Sequence, residues 1–396
     1  MIEEILKEEL VEIYFQPIVS IKTKRIFAFE ALTRCVYQGK KISPQLLFNL
    51  AKQKKLSLKL DLITRKKAIQ KFHSYYLENN DLTLFLNFES SSINKFNLRN
   101  NEYCFTKTIQ ELGIPSKNFM LEIKEDEISN EEALKNFCKV YKKLGFSIAL
   151  DDFGTGNSTF DRINLIKPDL IKIDKSLFCN IKNNQINKEI VNSISKMCKN
   201  IGILVLAEGV EDKDSICIAM KKGINLFQGY YFSQAKSKID EVDNSNIISK
   251  TLDMGDSFRT DIIKGIKRKR EVISNYTVLV EKIIDKINRI ESSYKVIEKE
   301  IKKYENIEAM YLIDEKTSLQ VQNTVMKINL NSRFKPTKHG DEHYFKEYYY
   351  ITQESKKGIF LSQKYISFAS GNICKTFAKK FEKENKSYIL CIDIAV

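Results

Sequence analysis

Up to about residue 235, short apolar runs of β-rich composition alternate with segments of helical periodicity. The runs 11-VEIYFQPIV-19, 25-RIFAFEAL-32, 82-LTLFLNF-88, 119-FMLEIK-124, 146-FSIALDD-152, 169-DLIKID-174, 203-ILVLAEG-209 and 224-INLFQGYYF-232 predict eight strands. The segments between the later strands are long enough for crossover helices. Residues 175–200, for example, carry Ile186, Ile190, Ile194 and Met197 at helical spacing. Eight strands alternating with helices over residues 1–240 predict an α/β chain with a TIM-like (β/α)8 barrel. The first two strands are joined only by SIKTK (20–24), too short for a crossover helix. They are expected to form a hairpin, so one barrel strand, the first, runs antiparallel.

From Tyr276 the pattern changes. Tyr276, Val280, Ile283, Ile287, Ile290, Tyr294, Ile297, Ile301 and Tyr304 alternate spacings of four and three, a heptad seam. It predicts a long connecting helix, a dimerising coiled coil, or a helix docked on the next domain. Residues 307–396 read as a smaller α+β unit, with strand-like pieces at 309–314, 321–330, 357–370 and 387–396. The expected division is 1–240 for the barrel, 241–306 for a helical linker and 307–396 for the second domain. No paired acids or nucleophile–base pair stand out in that domain, so it is expected to bind rather than catalyse.

Composition narrows the function. The chain has 396 residues, 43% of them hydrophobic, and 65 basic against 51 acidic side chains give a net charge of +14. That balance suits an anionic partner such as a nucleotide, a nucleic acid or an acidic membrane, or else a lysine-rich solvated surface. The basic cluster 264-KGIKRKR-270 lacks interleaved aromatics and reads as a solvated helix face, so no nucleic-acid partner is expected. Eight cysteines without a C-x-x-C pair and three histidines argue against a zinc site or a disulfide framework. MIEEILKEELVEI is acidic and amphipathic and lacks the regions of a signal peptide. No apolar stretch is long enough for a membrane span. A cytoplasmic protein is expected.

In a barrel of this class the chemistry sits at the C-terminal ends of the strands. Those ends carry Glu30, Asn87, Glu122, Asp151 and Asp152, Lys172, Glu208 with Glu211 three residues on, and Gln228. Each has an ordinary explanation when taken singly, as a helix cap or a first-turn acid. Together they converge five or six carboxylates, with one lysine, on one mouth. Glu122 and Lys172 lie between apolar neighbours and should point inward. Burying so many like charges is costly, so protons or divalent cations must neutralise them. Oxygen-only donors favour hard ions such as Mg²⁺ or Mn²⁺, and paired metals are a known hydrolytic arrangement at phosphodiesters. Asp151 and Asp152 are adjacent although successive strand residues face opposite ways. A sharp turn after Phe153, with Gly154 and Gly156 supplying freedom, is expected to bring both to the mouth.

The ordered motifs YFQPIV (14–19), FEALTR (29–34), LNFES (86–90), LEIKE (121–125), DDFGTG (151–156), IKID (171–174), AEGVE (207–211) and QGYYFSQ (228–234) resemble those of the EAL-domain cyclic di-GMP phosphodiesterases. The resemblance covers about residues 1–240. It implies metal-dependent hydrolysis of cyclic di-GMP to linear pGpG. It implies metal ligands at Glu30, Asn87, Glu122, Asp151 and Asp152, with Glu211 direct or through water. Lys172 would be the catalytic lysine and Glu208 a site acid near the water. Gln228 would support the metal-bound waters, Gln16 and Arg34 would contact substrate, and Glu125 would anchor the DDFGTG loop. A catalytically weak or inactive cyclic di-GMP receptor is the alternative. The barrel, long helix and C-terminal part, with DEHYFKEYYY and ISFASGNICKTF, resemble the layout of the YkuI-type proteins. That implies a PAS/Cache-like sensor for an unidentified small ligand, and a homodimer.

Overall fold

The computed structural model describes the chain except residues 95, 97–103, 125–127, 155–159 and 328–334, and at 104 the backbone alone. Glu125 and Gly156 therefore lie outside the described residues. The chain divides into two compact units, Met1–Asp261 and Ile262–Val396.

The first unit is built on β1 (Val11–Ser20), β2 (Arg25–Tyr37), β3 (Lys40–Ile42), β4 (Thr83–Phe88), β5 (Phe119–Lys124), β6 (Ser147–Phe153), β7 (Leu170–Ile173), β8 (Leu204–Ala207) and β9 (Leu226–Phe227). The strand order β1-β9-β8-β7-β6-β5-β4-β2 closes through a β1–β2 pairing into an eight-stranded barrel. β1 is antiparallel to both its neighbours, β2 and β9. From β2 through β4 to β9 every barrel pairing is parallel. The hairpin forced by the short SIKTK link is thus the antiparallel first strand. β3, a three-residue strand that the apolar pattern does not signal, merely extends β2 as an antiparallel edge.

Helices on the outside complete the alternation. Glu131–Lys143 shows why they form where they do. Asn130 caps it by accepting from the Ala133 amide at 3.0 Å, acids fill its first turn and lysines its last. Leu134, Phe137 and Tyr141 bury its apolar stripe. The main core lies between strands and helices, and a separate small core fills the barrel interior.

That inner core takes one residue from each barrel strand: Ile18, Ala28, Phe85, Met120, Ala149, Leu170, Leu206 and Leu226. It is a floor on which the mouth rests. The largest side chain in it, Phe85, is fully buried.

In the second unit β10 (Ile307–Asp314), β11 (Val325–Met326), β12 (Ile359–Leu361), β13 (Tyr365–Ile366), β14 (Ile373–Lys383) and β15 (Lys386–Ala395) form an antiparallel sheet, in the order β11-β10-β15-β14-β12 with β13 on β14. The lysine-rich run ICKTFAKKFEK that became β14 gives no clear strand signal. Its pairing with β15 through a tight turn at Glu384 and Asn385, both at positive φ, decides it. The heptad seam belongs to this unit's interior. Val280, Ile283 and Ile287 of the helix Asn244–Arg289, and Ile297 and Ile301 of the helix Ser293–Ile301, pack with Met310, Leu312, Phe377, Leu390 and Ile392. These buried seam residues fit the reading of a helix docked on the next domain. The seam breaks at 290–292, where the two helices meet.

On the other face of this sheet His343 is buried. Its ring nitrogens face the Tyr348 hydroxyl at 3.0 Å and Gln320 Oε1 at 2.9 Å, and the ring stacks on Tyr311. Burial, reinforced by Lys346, lowers its pKa from 6.5 to about 4. Asp393, accepting from Thr376, Ser367 and Tyr365, is pushed up to about 6 by burial.

Two outcomes follow. Phe85→Ala should leave a cavity in the barrel floor and cost about 3–5 kcal/mol in urea unfolding. For His343 the unfolded state binds the proton more readily, so its contribution to stability is complete above pH 6.5 and lost as pH falls towards 4. An NMR titration of the imidazole should accordingly show a midpoint near 4, not 6.5.

Candidate active site

Two residues along each barrel strand from the apolar floor lies a polar residue on the same face, because side chains repeat with period two. Ala28 is followed by Glu30, Phe85 by Asn87, Met120 by Glu122, Ala149 by Asp151, Leu170 by Lys172, Leu206 by Glu208 and Leu226 by Gln228. In β1, which runs the other way, Gln16 precedes Ile18. Register keeps the layer level: Gln16 pairs with Glu30 and Asn87 with Glu122. Eight polar residues thus form one ring above the floor.

Lys172 is the hub. It is 1% exposed, and its Nζ lies 2.5 Å from Glu122, 2.7 Å from Glu208, 3.2 Å from Asp151 and 3.6 Å from Glu30. Amides complete the ring. Gln228 Nε2 donates to Glu30 Oε2 at 2.5 Å and to Gln16 Oε1 at 3.2 Å, Asn87 Nδ2 donates to Glu30 Oε1 at 3.1 Å, and Gln16 Nε2 donates to the Ser233 carbonyl at 3.2 Å. Gly229 holds Gln228 in place. A Cβ there would meet the backbone of Val210, whose amide donates to the Gln228 carbonyl.

Four carboxylates face one ammonium, so the ring carries excess negative charge. Burial would lower the pKa of Lys172, but Asp151, Glu122, Glu208 and Glu30 override it and raise it well above the ordinary value. Burial pushes Glu208 up to about 8, with Lys172 opposing and Asp151 and Glu30 adding. Glu122 is raised well above its ordinary value, by burial and then by Glu30. Asp151 goes the other way. Burial would raise it, but the attraction of Lys172 and Lys124 holds it low.

Asp151 and Asp152 reach the same mouth by a route other than the expected turn after Phe153. The β6–β7 register shifts between Leu150 and Phe153, and Asp152 itself adopts φ +53°. A left-handed aspartate inside a bulge undoes the alternation. Gly154, at φ +100°, follows it. Oxygens of Asp151, Asp152 and Glu208 lie within 4.8 Å of one another. Glu122 Oε2 and Gln228 Oε1 are buried and accept no hydrogen bond, while Glu122 Oε1 and Asp151 Oδ1 face only Lys172. An all-oxygen set with unused buried lone pairs fits a hard divalent cation.

The ring opens into a cleft of about 560 Å³ that Arg34 also lines. Arg34 Nη1 donates to the Thr33 carbonyl at 2.8 Å, and its guanidinium lies 5.7 Å from the Tyr14 ring centroid. Glu211 stands apart, exposed on the loop after β8. A larger hollow of about 750 Å³, lined by Phe153, Phe160, Ile186, Ile190 and Met197, is apolar and lacks convergent charge. Two features escaped the strand-end reading. Lys124 bridges Asp151 and Asp152 at the rim, and a buried Asp61–Arg65 pair lines the cleft. The first was legible, since Lys124 lies two residues beyond Glu122. The second is a helical i,i+4 pair whose place at the cleft only the fold reveals.

Residues 1–235 match the EAL domain family, more than half of the chain. The protein is a member of the EAL domain family. Among curated relatives, the Borreliella burgdorferi cyclic di-GMP phosphodiesterase PdeA is 29% identical over 57% of this chain and 33% of its own. The Bacillus subtilis EAL-domain protein YkuI is 28% identical over 55% of this chain and 53% of its own. The EAL chain described here thus spans about a third to a half of those relatives. Among solved structures, that of B. subtilis YkuI with cyclic di-GMP and calcium aligns with a TM-score of 0.84 over 100% of this chain and 99% of its own at 22% identity, a likeness of fold. Klebsiella pneumoniae BlrP1, in a calcium and cyclic di-GMP complex, aligns at 27% identity and a TM-score of 0.52 over 57% of this chain and 56% of its own.

Replacing the hub tests the electrostatics of the EAL barrel. Lys172→Met strands the buried carboxylates and should cost about 3–5 kcal/mol in urea unfolding with EDTA present. Mn²⁺ should restore more stability to this variant than to the parent.

Proposed function

We propose that this chain hydrolyses one phosphodiester of cyclic di-GMP to give linear pGpG. The observation that carries the reading is the complete polar ring on all eight strands of an EAL barrel, open to a cleft. Water oxygen bonds to phosphorus, the bond from phosphorus to one 3′ oxygen breaks, and that oxygen leaves with a proton. Homologues named as cyclic di-GMP phosphodiesterases support the choice of substrate.

Glu30, Asn87, Glu122, Asp151 and Asp152 would hold divalent cations, with Mg²⁺ or Mn²⁺ suited to the oxygen donors. BlrP1 complexes contain calcium or manganese. Glu211, exposed on its loop, would join only through water. When bound, such cations lower the pKa of water and stabilise charge at phosphate. Lys172 keeps the carboxylates assembled and offsets charge that develops on the phosphoryl group. Glu208, at the open side of the ring and pushed up to about 8 by burial, is suited to exchange a proton with water. Gln228 fixes Glu30, Gln16 braces Gln228, and Arg34 offers a planar fork to phosphate or a guanine edge. Glu125 would anchor the loop that follows Asp152.

Residues 307–396 would be a PAS/Cache-like sensor of a small ligand that regulates turnover, in a cytoplasmic homodimer. Among the described residues no helix is long and apolar enough to cross a membrane.

Chromatography of the products after incubation with cyclic di-GMP tests the reading. The parent should form pGpG with Mg²⁺ or Mn²⁺ and none with EDTA. Glu30→Ala should lose about a thousandfold or more in rate. Binding of cyclic di-GMP without pGpG in either metal would instead make the barrel a receptor.

A further inference from the structure

The rim of the ring holds a second ammonium. Lys124 pairs in register with Asp151 across β5 and β6, and shares the inward face of β5 with Glu122. Its Nζ lies 2.5 Å from Asp152 Oδ2 and 3.7 Å from Asp151 Oδ2. These oxygens belong to the group, completed by Glu208, whose spacing could hold a cation. The ammonium therefore sits on donors that a divalent ion at the rim would need.

The two lysines differ in one respect that matters. Lys172 is sealed beneath four carboxylates, whereas the Lys124 side chain is 54% exposed. Lys124 can turn out to water at little cost, and Lys172 cannot. Without a cation at the rim, Asp151 and Asp152 are like charges drawn to one mouth by a left-handed backbone, and Lys124 compensates Asp152 while Lys172 lies nearer to Asp151.

We propose that Lys124 is a resident counter-ion of the Asp151–Asp152 pair, competing with the divalent cation for the rim and so setting the metal concentration at which that position fills. The proposal rests on the metal-binding reading of the ring. It adds that the two cation positions differ in affinity because only the rim carries a displaceable internal cation.

Mn²⁺ titration of the full chain, followed by loss of the free-ion EPR signal, tests it without reference to turnover. Lys124→Gln should tighten the weaker Mn²⁺ site roughly tenfold, the screened effect of removing one half-exposed charge in contact with the ligands. The tighter site should be unchanged. Lys124→Arg, which keeps the charge, should bind as the parent does. In an Asp152→Asn background Lys124→Gln should have a smaller effect than in the parent, since the nearer of its two partners is gone. Coincident isotherms for parent and Lys124→Gln, or weaker binding by the variant, would overturn the proposal and leave the metal reading standing. A parent that binds no Mn²⁺ would overturn both.

Discussion

The Lys172 ammonium, closed off from solvent and shared by Glu30, Glu122, Asp151 and Glu208, is the contact on which the site depends. Each partner comes from a different strand, so the ion cluster also ties together β2, β5, β6, β7 and the end of β8. Desolvating these groups one at a time would cost several kcal/mol each. They coexist because the geometry lets one cation neutralise several anions at once, with Asn87 and Gln228 satisfying the oxygens of Glu30.

The cluster remains short of positive charge. Burial, with the neighbouring carboxylates adding, pushes Glu122 and Glu208 towards their protonated forms, while Asp151, within reach of both lysines, is held low. Protons or divalent cations would relieve the same repulsion. Unused lone pairs on Glu122 Oε2 and Gln228 Oε1 are where either would be felt. The chemistry proposed for the barrel follows from this imbalance rather than from any single residue.

The strand geometry beneath is simple. An apolar floor and a polar ring, two residues apart on every strand, make the mouth a direct product of the β-sheet repeat. At Asp152 the repeat is broken, and there the backbone adopts a conformation unfavourable for most side chains. Such a conformation persists only where the surrounding structure holds it. In the second unit the heptad seam serves packing instead, burying one helix stripe against the sheet of its own unit.

By itself the sequence determined the eight strands, the reversal of the first and the polar residues that end them. These are local properties: apolar runs, a link too short for a crossover, and side chains alternating with period two. Lys124 was within reach of the same rule. Tertiary structure decided what depends on pairing. β14 is a strand because β15 lies beside it, and Asp152 faces the mouth because a bulge between β6 and β7 turns it there. Asp61 and Arg65, a helical pair in sequence, reach the cleft only once their helix packs on the barrel. Charge, too, is a property of assembly. Nothing in IKID or AEGVE foretells that Lys172 and Glu208 meet at 2.7 Å, because their strands become neighbours only when β7 and β8 pair.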